Sequence, residues 1–368
     1  MTEEEDYRTY ADAGVDISAG DRCSHIAYRA CLQTHSNRKG KIGCPEGGKT
    51  EGGFSSLLSL DGFGERDYLV KNSDGVGSKA LVAQRLNSHS TLAYDLIAMT
   101  VDDTAAMGAE PLVGTNILDV REARPEIVSE LMDGLVEACN RAGIAMVGGE
   151  IAELSDQVKG YSSPYIWNAD VIGVLEKDKQ VDGAEIDPGQ SVIAFKSNGI
   201  RSNGLTLARE ICRSEFGTDW DSKSFRSGET WGEVLLRPSL ICAPALVEMF
   251  GSHGEPAEVK LTGIAHLTGG GITNLRRILP QGKGAELDDL FPPPPELLAL
   301  QEVGPVRDME AYRTWNMGQC MLVVSERPRP VLEIASRHDI EAKVCGKITS
   351  GDEILVQSRG KEEDTLLF

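Results

Sequence analysis

The sequence predicts an α/β (α+β) protein of two domains built on mixed sheets. Three observations carry this. The chain has 368 residues, more than one hydrophobic core ordinarily serves. Strand-like and helix-like apolar runs alternate irregularly, which suits a mixed sheet better than a doubly wound one. Forty glycines punctuate those runs and call for many tight loops.

The elements follow in order. Residues 1–53 read as an arm and glycine-rich segment: an extended arm over 1–20, a helix over 21–34, then a flexible stretch with Gly47-Gly48 and Gly52-Gly53. Phe54–Leu60 and Tyr68–Lys71 read as strands paired across Asp61-Gly62. Lys79–Leu86 is a short helix, and Thr91–Met107 a longer one because Leu92, Leu96, Met99 and Ala106 keep helical spacing. Leu112–Leu118 is a buried strand. Arg124–Ala142 carries Pro125 near its start, a stripe of Ile127, Leu131, Leu135 and Cys139, and Gly143 at its end, the punctuation of a helix. Strands at Ala145–Val147 and Val171–Leu175 complete a first domain over 54–176.

The polar stretch Glu176–Gly189 marks the boundary to a second domain, 177–368. It begins with the strand Ser191–Lys196, a loop over 197–203 and a helix from about Gly204. Helices follow at Leu240–Phe250, Thr273–Leu279 and Arg329–His338, with strands at Val259–Ala265, Met321–Val324 and Ala342–Ile348. Pro292–Pro295 reads as an exposed stiff linker.

The net charge of −20 argues against a nucleic-acid partner, which needs a basic face. An anionic ligand must then meet a locally positive site or a metal. No apolar run reaches the ~18 residues of a membrane span, and the acidic N-terminus lacks the apolar core of a signal peptide, so a cytoplasmic address is expected. Eight scattered cysteines with no Cys-x-x-Cys read as free thiols. Cys23, His25, Cys31, His35 and Cys44 are close enough in sequence for zinc, but Cys23, Ala27 and Cys31 share one helical stripe, which favours buried thiols.

Five stretches could carry chemistry. In Asp74-Gly75-Val76-Gly77-Ser78-Lys79, glycines let backbone N–H groups approach an anion, the lysine adds charge, and the acid can hold a divalent metal. A plain glycine turn between strand and helix is the competing reading. Asp95, Asp102 and Asp103 sit on an otherwise apolar helix, where a carboxylate is costly unless paired or metal-bound. Gly148-Gly149-Glu150 ends a strand with a close backbone approach and a potential metal ligand. Ser197-Asn198-Gly199-Ile200-Arg201-Ser202-Asn203-Gly204 and His266-Leu267-Thr268-Gly269-Gly270-Gly271 each open a helix with polar or glycine residues that favour an anion, and His266 can carry a proton near neutral pH. Together they suggest an enzyme handling two phosphorylated ligands with Mg²⁺. Dinucleotide, P-loop, nucleophile-elbow and zincin motifs are absent.

These motifs, with Tyr10–Asp16, Asp95–Met99 and Gly108-Ala109-Glu110-Pro111, occur in the order found in phosphoribosylformylglycinamidine cyclo-ligases, and from about residue 10 to 348 the chain resembles that family. The resemblance implies an N-terminal domain forming a barrel-like homodimer core, an α/β C-terminal domain, and active sites between them. It implies ATP and Mg²⁺ as cofactors and a small phosphorylated substrate, formylglycinamidine ribonucleotide, whose amide oxygen is activated before a ring nitrogen closes on that carbon. Carried over by position, Asp74, Asp103 and Glu150 become metal ligands. Asp74, Gly75, Gly77, Ser78, Lys79, Asp95, Gly148 and Gly149 become nucleotide contacts. Arg201, Ser202, Asn203, Thr268, Gly269, Gly270 and Gly271 line the substrate, and His266 and Lys79 act in catalysis. The chain departs from the family pattern in four places, one of them Leu154-Ser155-Asp156, which stands where a Met-Pro motif usually follows the Gly-Gly-Glu. Arg201 stands where the family has His, Ile166–Ala169 replaces Asp-x-Ala-Gly, and Asn316–Met321 replaces Asn-x-Gly-x-Gly-Met with Gln319-Cys320. Two alternatives accompany the reading: a relative activating another small acceptor, and a non-catalytic nucleotide-binding paralogue.

Overall fold

The computed structural model describes residues 17–46, 57–226, 228–362 and 364–368. The expected arm over 1–16 and the glycine-rich segment 47–56 lie outside them. The first half runs α1 (Ile17–Thr34), β1 (Pro45–Glu46), β2 (Leu57–Leu58), β3 (Asp67–Gly75), α2 (Lys79–Leu86), α3 (Leu92–Ala106), β4 (Glu110–Val120), α4 (Pro125–Ala142), β5 (Ala145–Glu153) and β6 (Tyr165–Glu176). The second runs β7 (Ser191–Lys196), α5 (Leu205–Phe216), α6 (Trp231–Leu236), α7 (Ala243–Phe250), β8 (Gly263–His266), β9 (Lys283–Leu287), α8 (Pro295–Val303), α9 (Asp308–Thr314), β10 (Gln319–Ser325), α10 (Pro328–Arg337), β11 (Ala342–Ser350), β12 (Ile354–Gln357) and β13 (Thr365–Leu367).

Both main sheets are mixed, as the irregular alternation predicts. The first has four strands in the order β3-β6-β4-β5, with only β4 and β5 parallel. The second has seven, β13-β12-β9-β11-β7-β10-β8, with β12 and β9 parallel. Among the described residues no helix is long and apolar enough to cross a membrane.

Helices α3 and α4 cover one face of the first sheet. Along β6, Tyr165, Trp167, Ala169 and Val171 point into that core, while Ile166 and Asn168 point out, the period-2 alternation of a sheet with one covered face. Helix α4 starts on Pro125 and stops at Gly143, whose φ of 73° suits glycine. Its stripe Ile127, Leu131, Leu135 and Cys139 is buried. Cys23 and Cys31 on α1 are buried as their stripe requires, and His25 is exposed. The main hydrophobic cluster is continuous from this layer into the second sheet, through Met99 and Val101 on one side and Leu205, Ile241 and Met321 on the other.

Several expectations are corrected. Leu57–Leu58 pairs with Pro45–Glu46, not with Tyr68–Lys71. The latter belongs to a nine-residue strand in full register with β6, from Asp67↔Glu176 to Gly75↔Asn168, and that longer ladder wins. Strand β5 runs through Gly148-Gly149-Glu150 to Glu153. Thr273–Leu279 is replaced by a 3₁₀ turn over Gly271–Arg277. In the proline run Pro293 is buried and Pro295 opens α8. Helix α1 takes in residues 17–20, expected as arm.

One glycine fixes how α4 meets the start of α3. A Cβ on Gly134 would stand 1.8 Å from the Ser90 carbonyl oxygen, a backbone atom that cannot swing aside. Gly134→Ala is expected to cost about 1–3 kcal/mol, read as a lowered midpoint in chemical denaturation. An unchanged midpoint contradicts this packing.

Candidate active site at the junction of the two sheets

Helix α3 supplies the frame. Asp95 and Asp102 are seven residues apart and share a face, and both are fully buried. Asp95 Oδ1 accepts from Lys79 Nζ at 2.8 Å, Ser202 Oγ at 3.2 Å and Ser239 Oγ at 2.5 Å. Asp102 Oδ1 accepts the backbone N–H groups of Cys242 and Ala243, each at 2.8 Å, while Oδ2 accepts from Arg201 Nη2 at 3.2 Å. Asp103, more open at 39% side-chain exposure, holds His266 Nδ1 at 2.7 Å. His266 Nε2 stands 3.8 Å from Asp102 Oδ2 and, though buried, has no hydrogen-bond partner.

Asp74, at the end of β3, completes a carboxylate pair with Asp103. Desolvation raises the Asp74 pKa, and repulsion from Asp103 raises it further against the opposing pull of the Gly75 N–H and His266. Burial also raises Asp103, but the His266 hydrogen bond and charge outweigh it and leave Asp103 below the usual range. Burial keeps Asp102 above it despite His266 and Arg201. A cation between Asp74 and Asp103 would relieve their repulsion, and a hard divalent ion uses one or two carboxylates together with phosphate oxygens. The donor set fits Mg²⁺ in that manner. Among the described residues no three His, Cys, Asp or Glu side chains form a ready-made metal cage.

The glycine loops converge on this frame. Ser78 Oγ lies 3.3 Å from Thr206 Oγ1 on α5, and Gly77 faces the Ser202 carbonyl. Asn203 Nδ2 contacts Met99 Sδ of α3 at 3.8 Å, and a Cβ on Gly269 would be 3.6 Å from Asn203 Oδ1. Asn274 ties the third loop down through the His266 carbonyl at 2.9 Å and Thr268 Oγ1 at 3.1 Å. Gly271, at φ 52°, has no room for a side chain, since a Cβ would meet the Tyr312 carbonyl at 2.1 Å.

The structure thus brings together Asp74, Gly75, Gly77, Ser78, Asp103, Ser202, Asn203, His266, Thr268 and the Gly269–Gly271 loop. It corrects four placements. Lys79 is fully buried, with Nζ spent on Asp95 and on the Arg237 carbonyl at 2.5 Å, so Lys79 and Asp95 form an internal ion pair rather than an open phosphate contact. Arg201 is 2% exposed, its guanidinium on Asp102 and the Cys320 carbonyl. Glu150 with Gly148-Gly149 does not join Asp74 and Asp103 within one chain. Glu150 lies on the row Gly75–Asn168–Ile117–Glu150, about 14 Å from Gly75 at three strand spacings, and is exposed on the sheet face away from α3.

Sequence reasoning named Asp102 but gave it no role; its burial cost was the available signal. Ser239, Trp315 and Asn316 were missed. Trp315 Nε1 donates to the Gly204 carbonyl at 3.1 Å, and Asn316 Nδ2 to the carbonyls of Gly199 and Ile200 at 2.8 and 3.1 Å. Asn316 stands in a recognised motif, whereas nothing local marks Ser239.

Comparison with known proteins gives the family. Residues 56–175 match the family model of the AIR synthase related protein N-terminal domain, and residues 187–358 that of the C-terminal domain. The class is therefore that of two-domain AIR synthase related proteins. Phosphoribosylformylglycinamidine cyclo-ligases from Pyrococcus furiosus (35% identical over 354 residues, covering 96% of this chain and 98% of the relative) and Sorangium cellulosum (34% over 355, covering 95% and 98%) are similar over nearly their whole length. The chain belongs to the phosphoribosylformylglycinamidine cyclo-ligase family. In fold it is similar to thiamine-monophosphate kinase from Stenotrophomonas maltophilia K279a (TM-score 0.61, 16% identity, covering 90% of this chain and 97% of that one) and to E. coli HypE (TM-score 0.59, 15% identity, covering 92% and 95%).

The buried pair yields a direct test. Lys79→Ala strands the Asp95 carboxylate in the interior and is expected to cost about 3–5 kcal/mol, the scale of breaking a buried ion pair, measured by equilibrium unfolding. A stability change within about 0.5 kcal/mol, the range of an ordinary surface substitution, contradicts the internal role.

Proposed function

We propose that this chain is an ATP-dependent cyclo-ligase that closes formylglycinamidine ribonucleotide to aminoimidazole ribonucleotide, with release of ADP and phosphate. The observation that carries this is the meeting of Asp74, Asp103 and His266 with the Ser202–Gly204 and Thr268–Gly271 loops, in a member of this family.

An amide oxygen is a poor leaving group and its phosphate ester a good one, so the chemistry needs phosphoryl transfer followed by ring closure. Asp74 and Asp103 would hold Mg²⁺, which when bound offsets charge on the transferring phosphoryl group. Ser202, Asn203 and the N–H groups of Gly269–Gly271 offer donors to phosphate oxygens. Asp103 on Nδ1 orients the His266 ring and, if it accepts the proton there, leaves Nε2 free to take a proton from the attacking nitrogen.

A cleft of about 260 Å³ lined by Leu118, Val120, Val128, Tyr161, Arg121 and Arg124 would take the adenine. Gln84 of α2 binds both the Tyr165 carbonyl and the Tyr161 N–H, tying this cleft to the helix that follows the Asp74–Lys79 loop.

The departures at Arg201 and at Gln319-Cys320 do not call for another acceptor. Arg201 is spent on Asp102, and Gln319 and Cys320 are buried in β10, so none of the three is presented to a ligand.

The outer face of the first sheet supports a homodimer. Ile117 and Ile166, each 47% exposed, and Leu69, 60% exposed, lie on it, and Glu150 belongs to the same face. An enzyme of this kind would work in the cytoplasm.

The reaction is tested by phosphate release from MgATP with and without formylglycinamidine ribonucleotide. Substrate-dependent release is expected, and Asp74→Asn should lower kcat about 100-fold or more, the scale of losing one group that stabilises transition-state charge. No substrate-dependent release from folded, ATP-binding protein overturns the reading. Sedimentation should find a dimer that Ile166→Asp converts to monomer. A monomeric wild-type chain contradicts the interface.

A further inference from the structure

We infer that Cys242 and Cys320 form a redox-sensitive dithiol, which a peroxide closes to a disulfide, and that closing it disturbs the Asp102–Arg201 contact behind the active site.

The two Sγ atoms are 3.7 Å apart and both residues are fully buried. Cys242 immediately precedes α7, and its N–H is one of the two amides that hold Asp102. Cys320 lies in β10 between β7 and β8. Its carbonyl accepts from Arg201 Nη1 at 3.2 Å and from the Leu267 N–H at 3.1 Å, so the strand carrying this thiol also anchors the residue after His266. The thiols therefore stand between the amide support of Asp102 and the carbonyl support of Arg201. Arg201 meets the Cys320 carbonyl, so its charge lies beside this thiol rather than on the sulfur itself. The hydrogen bond between the two sulfurs, with the Arg201 charge, outweighs burial and holds Cys320 below the usual thiol range, while that bond and burial push Cys242 above it. The pair is thus asymmetric, one sulfur suited to attack and the other to resolve.

Arg201 and Cys320 are also two of the positions where the chain departs from its family pattern, and they touch.

The reaction balances. The Cys320 thiolate attacks one oxygen of hydrogen peroxide; an S–O bond forms, the O–O bond breaks, and the departing hydroxide takes a proton to become water. The Cys242 sulfur then attacks the Cys320 sulfur. The S–S bond forms, the S–O bond breaks, and that hydroxide leaves as water with the Cys242 proton. Two thiols and one peroxide give one disulfide and two waters. With an S–S bond of about 2.05 Å, the sulfurs must approach by roughly 1.6 Å, which draws the start of α7 and strand β10 together.

The test treats the reduced full-length protein with hydrogen peroxide, alkylates remaining thiols under denaturing conditions and maps peptides by mass spectrometry. The expected result is a crosslinked peptide pair containing Cys242 and Cys320 that dithiothreitol removes, with substrate-dependent phosphate release falling at least tenfold and returning on reduction. In Cys242→Ser the crosslink should vanish and dimedone should trap Cys320 as sulfenic acid. Both thiols recovered alkylated while other cysteines have oxidised would overturn the dithiol. A crosslink that leaves turnover unchanged would overturn its coupling to the site. Only the turnover arm rests on the reaction proposed above. The crosslink is read by mass, so its failure is distinguishable from failure of that reading.

Discussion

Helix α3 buries carboxylates that water would otherwise solvate, and the rest of the molecule is arranged around that cost. An unpaired carboxylate in the interior is worth several kcal/mol against folding. Asp95 meets Lys79, Ser202 and Ser239; Asp102 meets Arg201 and two amides; Asp103 meets His266. Every one of these partners except Lys79 lies beyond residue 200. The packing of the second sheet's layer against the first is therefore specified by charge as well as by apolar contact, and the seam between them is where the active site lies.

That arrangement also decides how an acidic protein handles phosphate. Lys79 and Arg201, the cations nearest the glycine loops, are spent on Asp95 and Asp102 and have little charge left for a ligand. On the reading proposed above, phosphate recognition would fall to backbone N–H groups of the loops, to Ser202 and Asn203, and to a cation held by Asp74 and Asp103. Desolvation is the main cause of the raised Asp74 pKa, and repulsion from Asp103 adds to it. His266 is held from one side by Asp103 and faces Asp102 on the other, so its position depends on the same helix. Packing at the seam and the proton transfer proposed for His266 would then have one structural source.

Much of this was legible in the sequence. Two mixed sheets, helix α4 with its proline and glycine ends, and the burial of the α3 acids all follow from periodicity, punctuation and the cost of buried charge. The meeting of Asp74, Asp103 and His266 was legible only as a set of motifs in family order, because residues 74 and 266 are joined by tertiary packing alone. What failed were inferences from type to role. Lys79 reads as a phosphate ligand because lysine after glycines usually is exposed, and only the fold shows Asp95 beneath it. Glu150 reads as a third metal ligand until strand register places it on the opposite face. The Tyr68–Lys71 hairpin failed for a related reason: a two-residue partner loses to a nine-residue ladder with β6 that sequence proximity does not reveal.

The central claim is that the Asp102–Arg201 contact couples the two layers. A double-mutant cycle with Asp102→Asn and Arg201→Met, read by equilibrium unfolding of the two single variants and the double, measures it directly. A coupling energy of about 0.5–3 kcal/mol, with the double variant less destabilised than the sum of the singles, is the predicted result for contacting residues. Additivity within about 0.3–0.5 kcal/mol, as for independent sites, would contradict it.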